Sequence, residues 1–415
     1  MNYGCIGEHL KHSFSKEIHN ALSDYDYEIR EVAKEELENF AKARDFKAIN
    51  VTIPYKEMIM PYLDSIDDFA KRIGAVNTVV NRDGRLYGYN TDFYGMKRLI
   101  ERLGIDPRGL KAVILGTGGT SKTAAAVLQA MGAASVIRVS REGKEGAITY
   151  GELYSCHCDA ELIVNTTPVG MYPNSDGCPV EPERFSRLLG VVDAVYNPIR
   201  TSLVLRAREM GIPAEGGLYM LVAQALRASE IFLDTEYSED TPDRVYSKIL
   251  SEKENITLIG MPASGKSTVG AILAQMLGRE LIDTDTEVVR AKGTGIPKIF
   301  ENEGEVAFRD AESAVIAEVG KRTSAVIATG GGAILRKENI TQLRKNGRIY
   351  FIDRPIEALI PTPDRPLASS EEAIRRRYEE RYPIYRSVCD AVIPADAEAT
   401  EVALRIIKDF KNEVS

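Results

Sequence analysis

Residues 260–268, GMPASGKST, have the residue types and spacing of a phosphate-binding loop. The loop follows an apolar run at 256–259, which predicts a buried strand, and precedes apolar residues at helical spacing. Backbone N–H groups of the loop and of the helix N-terminus would bind phosphate oxygens. Lys266 would reach the outer phosphates, and Ser267 would offer its hydroxyl to Mg2+. The predicted contacts are Gly260, Gly265, Lys266, Ser267 and Thr268.

Two carboxylates follow the loop helix at a spacing that suits phosphoryl transfer. Asp283 and Asp285 end an apolar run that begins at Leu281, and alternate residues of an extended strand point to one side. The transfer needs a ligand for Mg2+ and a group that positions the attacking hydroxyl. We expect the two acids to divide these tasks.

A second glycine-rich turn, GTGGTS at 116–121, lies earlier in the chain. It stands between a predicted strand at 112–115 and a predicted helix at 122–131, and a further strand is predicted at 135–139. This order is typical of a dinucleotide-binding βαβ unit, in which glycine lets the backbone approach a pyrophosphate closely. The predicted contacts are Gly116, Gly118, Gly119 and Thr120.

The end of the next predicted strand indicates which dinucleotide binds. NAD-binding folds usually place an acid there for the ribose 2′-hydroxyl. This chain has Arg141, with Lys144 close behind. Cations at this place favour a 2′-phosphate, so NADP is predicted over NAD. The structural alternative is that Arg141 is a solvated loop residue.

Before the dinucleotide module, polar residues recur in short segments, several of which alternate with apolar ones. If residues 12–15 are extended, the hydroxyls of Ser13 and Ser15 face the same side and can bind one anion. Taken singly, each segment has a structural alternative, because hydroxyls and Asn side chains cap turns and lysines are usually solvated. The segments are HSFS at 12–15, NVTIPYK at 50–56, GAVNT at 74–78 and YNTD at 89–92.

The bulk composition favours a soluble, cytoplasmic enzyme. The net charge of -8 argues against nucleic acid or an anionic membrane as the main partner. No apolar run approaches the roughly 18 residues of a membrane span, and the N-terminus lacks the pattern of a signal peptide. The five cysteines predict reduced thiols, and CHC at 156–158 lacks a second pair at zinc spacing. The composition leaves a homo-oligomer open.

The length of 415 residues predicts two or three domains. Residues 234–254 are polar and charged, with a helical remnant at 245–250 and a predicted short linker at 251–255. We therefore divide the chain into residues 1–252 and 253–415. Within the first part, a substrate-binding domain is expected at 1–107 and 215–252, and a nucleotide-binding domain at 108–214.

Residues 1–250 resemble the shikimate dehydrogenase family. The resemblance rests on the segments given above and on three later ones, NTTPVGM at 165–171, DAVYNP at 193–198 and GGLYMLVAQ at 216–224. It implies an α/β fold with an N-terminal substrate domain and a Rossmann-type NADP domain. It also implies the NADPH-dependent reduction of 3-dehydroshikimate to shikimate.

The same resemblance implies roles for individual residues. Lys56 and Asp92 would form the catalytic pair, in which the lysine supplies a proton to the reduced oxygen and the aspartate orients the lysine. Gly217 would lie against NADP. The implied substrate contacts, with the two serines at the carboxylate, are Ser13, Ser15, Asn50, Thr52, Asn77, Tyr196 and Gln224.

Residues 254–415 resemble the shikimate kinase family. The implied fold is a P-loop domain of the nucleoside-monophosphate-kinase type, in which helices wrap a parallel sheet and a lid closes over the site. The implied substrates are shikimate and ATP with Mg2+. Besides the loop and the two acids, the segments that carry the resemblance are FR at 308–309, GGG at 330–332, DRPL at 364–367 and ERYPIYR at 380–386.

This second resemblance also implies individual roles. Ser267 and Asp283 would hold Mg2+, and Asp285 would bind the substrate hydroxyls and orient the attacking one. Arginine forks suit a carboxylate. The remaining implied roles are the substrate carboxylate for Arg309 and Arg381, packing on the ring for Gly331, and closure over the phosphates for Arg365. Many relatives have glycine where this chain has Ala263.

The two halves would catalyse consecutive reactions, because the product of the first is the substrate of the second. One alternative is a first half that also or mainly oxidises quinate with NAD, against which Arg141 argues. Another is a non-catalytic pathway regulator that binds DNA or effectors. Against the regulator, the chain is acidic and keeps Lys56, Asp92 and Lys266 together with both acids of the second half.

Overall fold

The structure, a computed structural model, describes residues 1–8, 10, 14–144, 146–359 and 371–412. The chain divides into two compact units, residues 1–249 and 250–415. In the described part, no helix is long and apolar enough to cross a membrane.

The N-terminal unit begins with a six-stranded mixed sheet and its helices. The elements are β1 (Tyr3–Gly7), α1 (Ser15–Leu22), β2 (Tyr27–Glu31), α2 (Leu37–Ala43), β3 (Ala48–Val51), α3 (Tyr55–Met58), β4 (Ser65–Ile66), α4 (Asp68–Ile73), β5 (Thr78–Arg82), β6 (Arg85–Tyr89) and α5 (Asp92–Arg102), with short 3-10 helices at Lys34–Glu36 and Met60–Tyr62. The strand order is β2-β1-β3-β5-β6-β4. Strand β5 is antiparallel to both neighbours. The central strand β3 is buried throughout, so the residues that follow it are fixed in place.

The second sheet of this unit has five strands, all parallel. Its elements are β7 (Lys111–Leu115), α6 (Gly119–Ala130), β8 (Ser135–Val139), α7 (Tyr150–Cys156), β9 (Leu162–Asn165), β10 (Gly190–Asp193), α8 (Ser202–Glu209) and β11 (Ala214–Glu215), with a 3-10 helix at Pro182–Arg184. The order is β11-β10-β9-β7-β8. Apolar clusters lie on both faces, as continuous apolar strands of a parallel sheet require. The order reverses beside β7, and the glycine-rich turn follows its carboxyl end, where such sheets bind ligands.

Two helices complete the unit, α9 (Leu218–Leu233) and α10 (Thr241–Lys253), the second of which runs across the division between the units. Helix α9 returns to the first sheet, where it packs against α5 and α1. Its residues Ala228 and Phe232 share an apolar cluster with Cys5 and Tyr27 of the first two strands.

The C-terminal unit is built on a five-stranded parallel sheet in the order β13-β14-β12-β15-β16. The elements are β12 (Asn255–Ile259), α11 (Lys266–Leu277), β13 (Glu280–Asp283), α12 (Thr284–Lys292), α13 (Ile296–Val319), β14 (Ala325–Ala328), α14 (Lys337–Asn346), β15 (Gly347–Asp353), α15 (Glu371–Val388), β16 (Ala391–Pro394) and α16 (Ala399–Asn412), with 3-10 helices at Ala333–Leu335 and Ile356–Ala358. Helix α13 is kinked at Gly304, whose φ is 83°. The predicted α/β fold class is confirmed in both units.

Two local predictions differ from the structure. The expected linker at 251–255 is absent, because α10 continues to Lys253 and β12 begins at Asn255. The single residue between them, Glu254, is buried and pairs with Arg348. Helix α6 of the dinucleotide module also begins earlier than predicted, at Gly119 rather than at residue 122.

Candidate active sites in the two units

Lys56 and Asp92 meet in the N-terminal unit. Lys56 lies in α3, just after β3, and Asp92 begins α5, just after β6. The Lys56 Nζ donates to Asp92 Oδ2 at 2.5 Å, and the Asn77 Nδ2 donates to Asp92 Oδ1 at 2.9 Å. Both carboxylate oxygens are therefore held by donors. The two side chains keep 27% and 14% of their exposure, so the pair is shielded from water but can be reached by a small molecule.

Asn50 belongs to the polar network around this pair, but both polar atoms of its side chain already form hydrogen bonds within the protein. Asn50 is buried, its Oδ1 accepts from the Tyr27 hydroxyl at 2.7 Å, and its Nδ2 donates to the Asn77 carbonyl at 3.3 Å and to Thr78 Oγ1 at 3.2 Å. Its predicted contact with substrate stays a prediction. Tyr27 was missed at the sequence level, because nothing in its local spacing links it to residue 50.

Gln224 and Tyr196 lie later in the chain, and each contacts a residue of the N-terminal segment. The Thr91 hydroxyl, next to Asp92, donates to Gln224 Oε1 at 3.4 Å, and Gln224 Nε2 donates to the Leu221 carbonyl at 3.0 Å. Helix α9 thus brings Gln224 beside Thr91, the residue before Asp92. The Tyr196 ring lies 5.6 Å from that of Phe14, and burial raises the pKa of Tyr196.

Of the remaining predicted substrate contacts, the structure describes Ser15 and Thr52. Ser15 is the first residue of α1, and Ser13 lies outside the described residues. Thr52 is half-buried after β3, where its backbone N–H donates to the Ile6 carbonyl at 3.0 Å. These positions are compatible with the predicted contacts and do not test them.

The glycine-rich turn at the end of β7 leaves room for a phosphate. Gly116 has a φ of 109°, and a Cβ there would lie 2.8 Å from Thr166 Oγ1, so this position requires glycine. A Cβ added at Gly118 or Gly119 would meet no atom within 4 Å. The space above the turn is open, and the N-terminus of α6 directly follows it, with Thr120 in its first turn. Such an end binds anions.

Arg141 and Lys144 are both exposed after β8, where a ribose 2′-phosphate is expected. Lys144 forms an ion pair with Glu142, so part of its charge is already balanced. Gly217 requires glycine for a reason internal to the protein, because a Cβ there would overlap the Ala194 carbonyl oxygen. Its predicted contact with NADP stays a prediction.

The phosphate-binding loop of the C-terminal unit is closed around its lysine. Lys266 is buried, and its Nζ donates to the carbonyl oxygens of Gly260 at 3.0 Å and Met261 at 2.8 Å. Gly265 caps α11 with a φ of 92°. Ala263 also has a positive φ, 64°, which is unfavourable for a residue with a Cβ.

Ser267 and Asp283 lie together at the open end of this loop. The Ser267 hydroxyl donates to Asp283 Oδ2 at 2.8 Å, and Thr268 is exposed beside it. A hydroxyl and a carboxylate oxygen are the donor types that Mg2+ prefers. The prediction that both acids belong to one strand was wrong: β13 ends at Asp283, and Asp285 lies in the first turn of α12. Asp283 Oδ1 accepts the backbone N–H of Asp285 at 3.0 Å and so caps that helix.

Arg309, Arg381 and Gly331 converge near Asp285. Arg309 is buried and donates to Glu312 Oε2 at 2.7 Å and to Glu305 Oε1 at 3.3 Å. Arg381 donates to the Gly331 carbonyl at 3.1 Å. A Cβ added at the neighbouring Gly330 would lie 2.5 Å from Asp285 Oδ1 and 2.7 Å from Glu312 Oε1, which shows how closely the two carboxylates approach.

Glu312 and Tyr385 are members of this site that sequence reasoning missed. Burial raises the pKa of Glu312, and the Tyr385 hydroxyl donates to the Gly331 carbonyl at 2.5 Å. Glu312 could have been predicted from the sequence, because it lies one helical turn after Arg309. Arg365, the predicted lid residue, lies outside the described residues.

Comparison with known proteins covers both units. The family model described as "Shikimate dehydrogenase substrate binding domain" matches residues 5–79, and the model described as "Shikimate kinase" matches residues 262–411. Shikimate dehydrogenase (NADP(+)) of Clostridium perfringens strain SM101 is 37% identical over 265 residues, which cover 60% of this chain and 97% of the relative.

Two crystal structures resemble the same part of the chain. Shikimate dehydrogenase 1 from Peptoclostridium difficile is 38% identical with a TM-score of 0.55, over 60% of this chain and 98% of that one. A chorismate mutase/shikimate 5-dehydrogenase fusion protein from Clostridium acetobutylicum is 34% identical with a TM-score of 0.57, over 60% and 96% of the two chains. The chain therefore belongs to the shikimate dehydrogenase family and carries a shikimate kinase domain at its C-terminal end.

Proposed function

We propose that this chain catalyses two consecutive reactions. The N-terminal unit reduces 3-dehydroshikimate to shikimate with NADPH, and the C-terminal unit phosphorylates shikimate to shikimate 3-phosphate with ATP and Mg2+. The observation that carries the proposal is that each unit brings together two groups that its reaction needs, Lys56 with Asp92 at 2.5 Å for proton transfer and Ser267 with Asp283 at 2.8 Å for Mg2+.

In the dehydrogenase, Lys56 would supply the proton that the reduced carbonyl oxygen takes up. NADPH, when bound, supplies the hydride. Asp92 holds the ammonium through Oδ2, and Asn77 holds Asp92 through Oδ1 at 2.9 Å, so the proton donor is oriented before substrate arrives. The same ammonium stabilises negative charge that develops on the oxygen. In the reverse direction, neutral Lys56 acts as the base.

In the kinase, Asp285 would bind the substrate hydroxyls and orient the attacking one, because its side chain lies near Gly330 and Glu312. Ser267 and Asp283 would hold Mg2+, which when bound neutralises phosphate charge. Lys266 would exchange its contacts with the Gly260 and Met261 carbonyls for phosphate oxygens. Arg309 and Arg381 would bind the substrate carboxylate, and Arg365 would act from the lid.

A coupled assay tests the proposal. Purified protein is given 3-dehydroshikimate, NADPH and ATP with Mg2+, and the products are separated by mass. Shikimate 3-phosphate should form, shikimate alone should accumulate without ATP, and no product should form without NADPH. Formation of shikimate without its phosphate in the complete mixture would refute the kinase half, and no NADPH oxidation would refute the dehydrogenase half.

The two alternatives are not favoured. The relative from Clostridium perfringens is NADP-dependent by name, which supports NADPH over an NAD-dependent oxidation of quinate. A non-catalytic regulator would have no need for the Lys56–Asp92 pair or for a lysine-bearing phosphate loop. The five cysteines are all unpaired, which supports a reducing, cytoplasmic location.

A further inference from the structure

Around the proposed kinase substrate site, Arg309, Arg377 and Arg381 each have one buried guanidinium N–H that lacks a hydrogen-bond partner among the described residues. These are Arg309 Nε, Arg377 Nη1 and Arg381 Nε. Buried donors are nearly always paired in folded proteins, so a group of unpaired ones indicates where a ligand acceptor belongs. Arg309 and Arg381 already have an assigned role at the substrate carboxylate. Arg377 has none.

Arg377 lies on the same face of α15 as Arg381, because four residues separate them in one helix. Burial lowers the pKa of Arg377, and the neighbouring Arg381 and Arg376 charges lower it further, while Glu305 and Glu380 oppose them. Glu305 is also the carboxylate that accepts from Arg309 Nη2 at 3.3 Å. Arg377 is therefore placed at the end of the site that Arg309 and Arg381 form.

The three arginines differ in how many carboxylates accept hydrogen bonds from their guanidinium groups. Arg309 donates to two carboxylates, those of Glu312 and Glu305. Arg381 donates to the neutral carbonyl of Gly331. Arg377 is partly exposed, with its Nη1 buried and unpaired within the described part of the chain. Of the three, Arg377 has the most capacity left for an anion.

We propose that Arg377 binds the carboxylate of the kinase substrate together with Arg309 and Arg381. This inference rests on the proposed kinase function and adds a third cation to its substrate site. A planar fork on the helix face next to Arg381 makes a second pair of charge-assisted hydrogen bonds available to one carboxylate. The competing anion is the phosphate that is transferred, which the experiment distinguishes.

The test uses the full chain and the Arg377→Gln variant. Shikimate affinity is measured by titration calorimetry without nucleotide, and kinase kinetics are measured with each substrate varied. Loss of a hydrogen bond to a charged group predicts roughly 10- to 100-fold weaker binding and a similar rise in the KM for shikimate. The KM for ATP and kcat should change less than about threefold, since they do not depend on uniform binding of the carboxylate.

Arg376→Gln is the matched control, because Arg376 is exposed on the same helix and the change removes the same charge. Its shikimate affinity should stay within about twofold of the parent, since an exposed charge is screened by solvent. Equal losses in the two variants would overturn the inference, because they would reflect net charge and not a contact.

Arg381→Gln separates this inference from the function beneath it. If Arg381→Gln weakens shikimate binding and Arg377→Gln does not, the inference is wrong and the kinase function stands. If the parent protein does not bind shikimate at all, the proposed function fails. If Arg377→Gln lowers kcat or raises the KM for ATP at unchanged shikimate affinity, Arg377 acts on phosphate and the inference is again wrong.

A second pair of measurements applies should Arg377→Gln fail to fold. Arg377→Lys keeps the charge and loses the planar fork, and the methyl ester of shikimate lacks the carboxylate. The parent should bind shikimate several-fold more tightly than Arg377→Lys does, and the two proteins should bind the ester equally weakly. If the ratio of the parent's affinity to that of Arg377→Lys were the same for shikimate and for its ester, the inference would be overturned.

Discussion

The Lys56 ammonium donates to the Asp92 carboxylate at 2.5 Å, although the two residues are 36 positions apart in the chain. Lys56 follows strand β3 and Asp92 follows strand β6, and Asn77, just before β5, donates to the other carboxylate oxygen. The Lys56 ammonium is thus held by a residue from a distant segment, whereas the P-loop lysine of the C-terminal unit donates to carbonyl oxygens of its own loop. These separate supports lead to a prediction of separable activities.

Lys56→Ala should lower NADPH oxidation by at least about 100-fold, since a positioned acid contributes about that much or more. Phosphorylation of shikimate by the same protein should stay nearly unchanged. Lys266→Met should do the reverse, because its ammonium donates to carbonyl oxygens of the phosphate loop. Steady-state assays of both reactions on both variants decide the matter. Loss of both activities in either folded variant would contradict a two-site enzyme.

Arg141→Asp should weaken NADPH binding far more than NADH binding, because a carboxylate would then face the 2′-phosphate. A charge contact of this kind is worth about 2–5 kcal/mol, which is roughly 30-fold or more in affinity. Lys144→Asp is the matched change, and it should have a smaller effect, since Lys144 already pairs with Glu142. Dissociation constants for both nucleotides provide the measurement. An unchanged preference would remove Arg141 from the site.

His19 should make the N-terminal unit less stable in acid. The ring is fully buried, stacks on Tyr27 at 3.9 Å and shares a hydrogen bond of 2.5 Å with the Tyr25 hydroxyl. Burial lowers the pKa of His19 from 6.5 to about 3. The unfolded chain therefore takes up a proton that the folded one excludes, and the stabilising contribution present above pH 6.5 is lost as pH falls toward 3.

The expected size is about 1.4 kcal/mol per pH unit, or about 2 kcal/mol between pH 7.5 and pH 5. His19→Phe keeps a ring on Tyr27 but cannot titrate. Denaturant unfolding followed by circular dichroism should show that, between pH 7.5 and pH 5, the free energy of unfolding of the parent falls by that amount relative to this variant. A pH-independent difference between the two proteins would show that His19 does not titrate in this range.

Ala263→Gly should stabilise the C-terminal unit. The φ of 64° at Ala263 costs about 1–2 kcal/mol for a residue with a Cβ, and glycine removes this strain. Glycine also raises the conformational entropy of the unfolded chain, which offsets part of the stabilisation. A net gain of about 0.5–1 kcal/mol is expected in denaturant unfolding. Ala271→Gly, in the exposed interior of α11, should instead destabilise by about 1 kcal/mol. Destabilisation by both changes would contradict strain at Ala263.

The two units should fold when separated between residues 252 and 253, since each has its own sheet and apolar core. The position of the cut matters because Glu254 is fully buried and its carboxylate lies 3.2 Å from the Arg348 guanidinium, itself 8% exposed. A fragment that starts at Lys253 should be active as a kinase. One that starts at Asn255 should be less stable by about 3–5 kcal/mol, because Arg348 loses its buried partner.

Thermal or denaturant unfolding of both fragments measures this difference, and Glu254→Gln in the full chain should destabilise in the same direction. Equal stability of the two fragments would show that Arg348 is satisfied without Glu254. Insolubility of the fragments on both sides of the cut would contradict independent folding.

The sequence by itself determined the two nucleotide-binding modules. The loops at 116–121 and 260–268 each lie directly between a strand and a helix, so their function depends on contiguous backbone N–H groups that local spacing encodes. The same holds for the apolar strands of the two parallel sheets, which are continuous runs because both faces are covered. Element boundaries were less accurate: Asp285 belongs to a helix and residues 251–253 continue one.

Only the tertiary structure decided which side chains meet. Tyr27 contacts Asn50, Asn77 contacts Asp92, and Glu312 approaches Asp285. These contacts form in sheets whose strand order differs from the order of the strands in the chain. No local pattern specifies such pairs, because they depend on register and on the packing of helices against sheets. The burial that leaves one N–H of Arg377 without a partner among the described residues is likewise a property of the packed unit, since in the sequence this residue is one of three consecutive arginines.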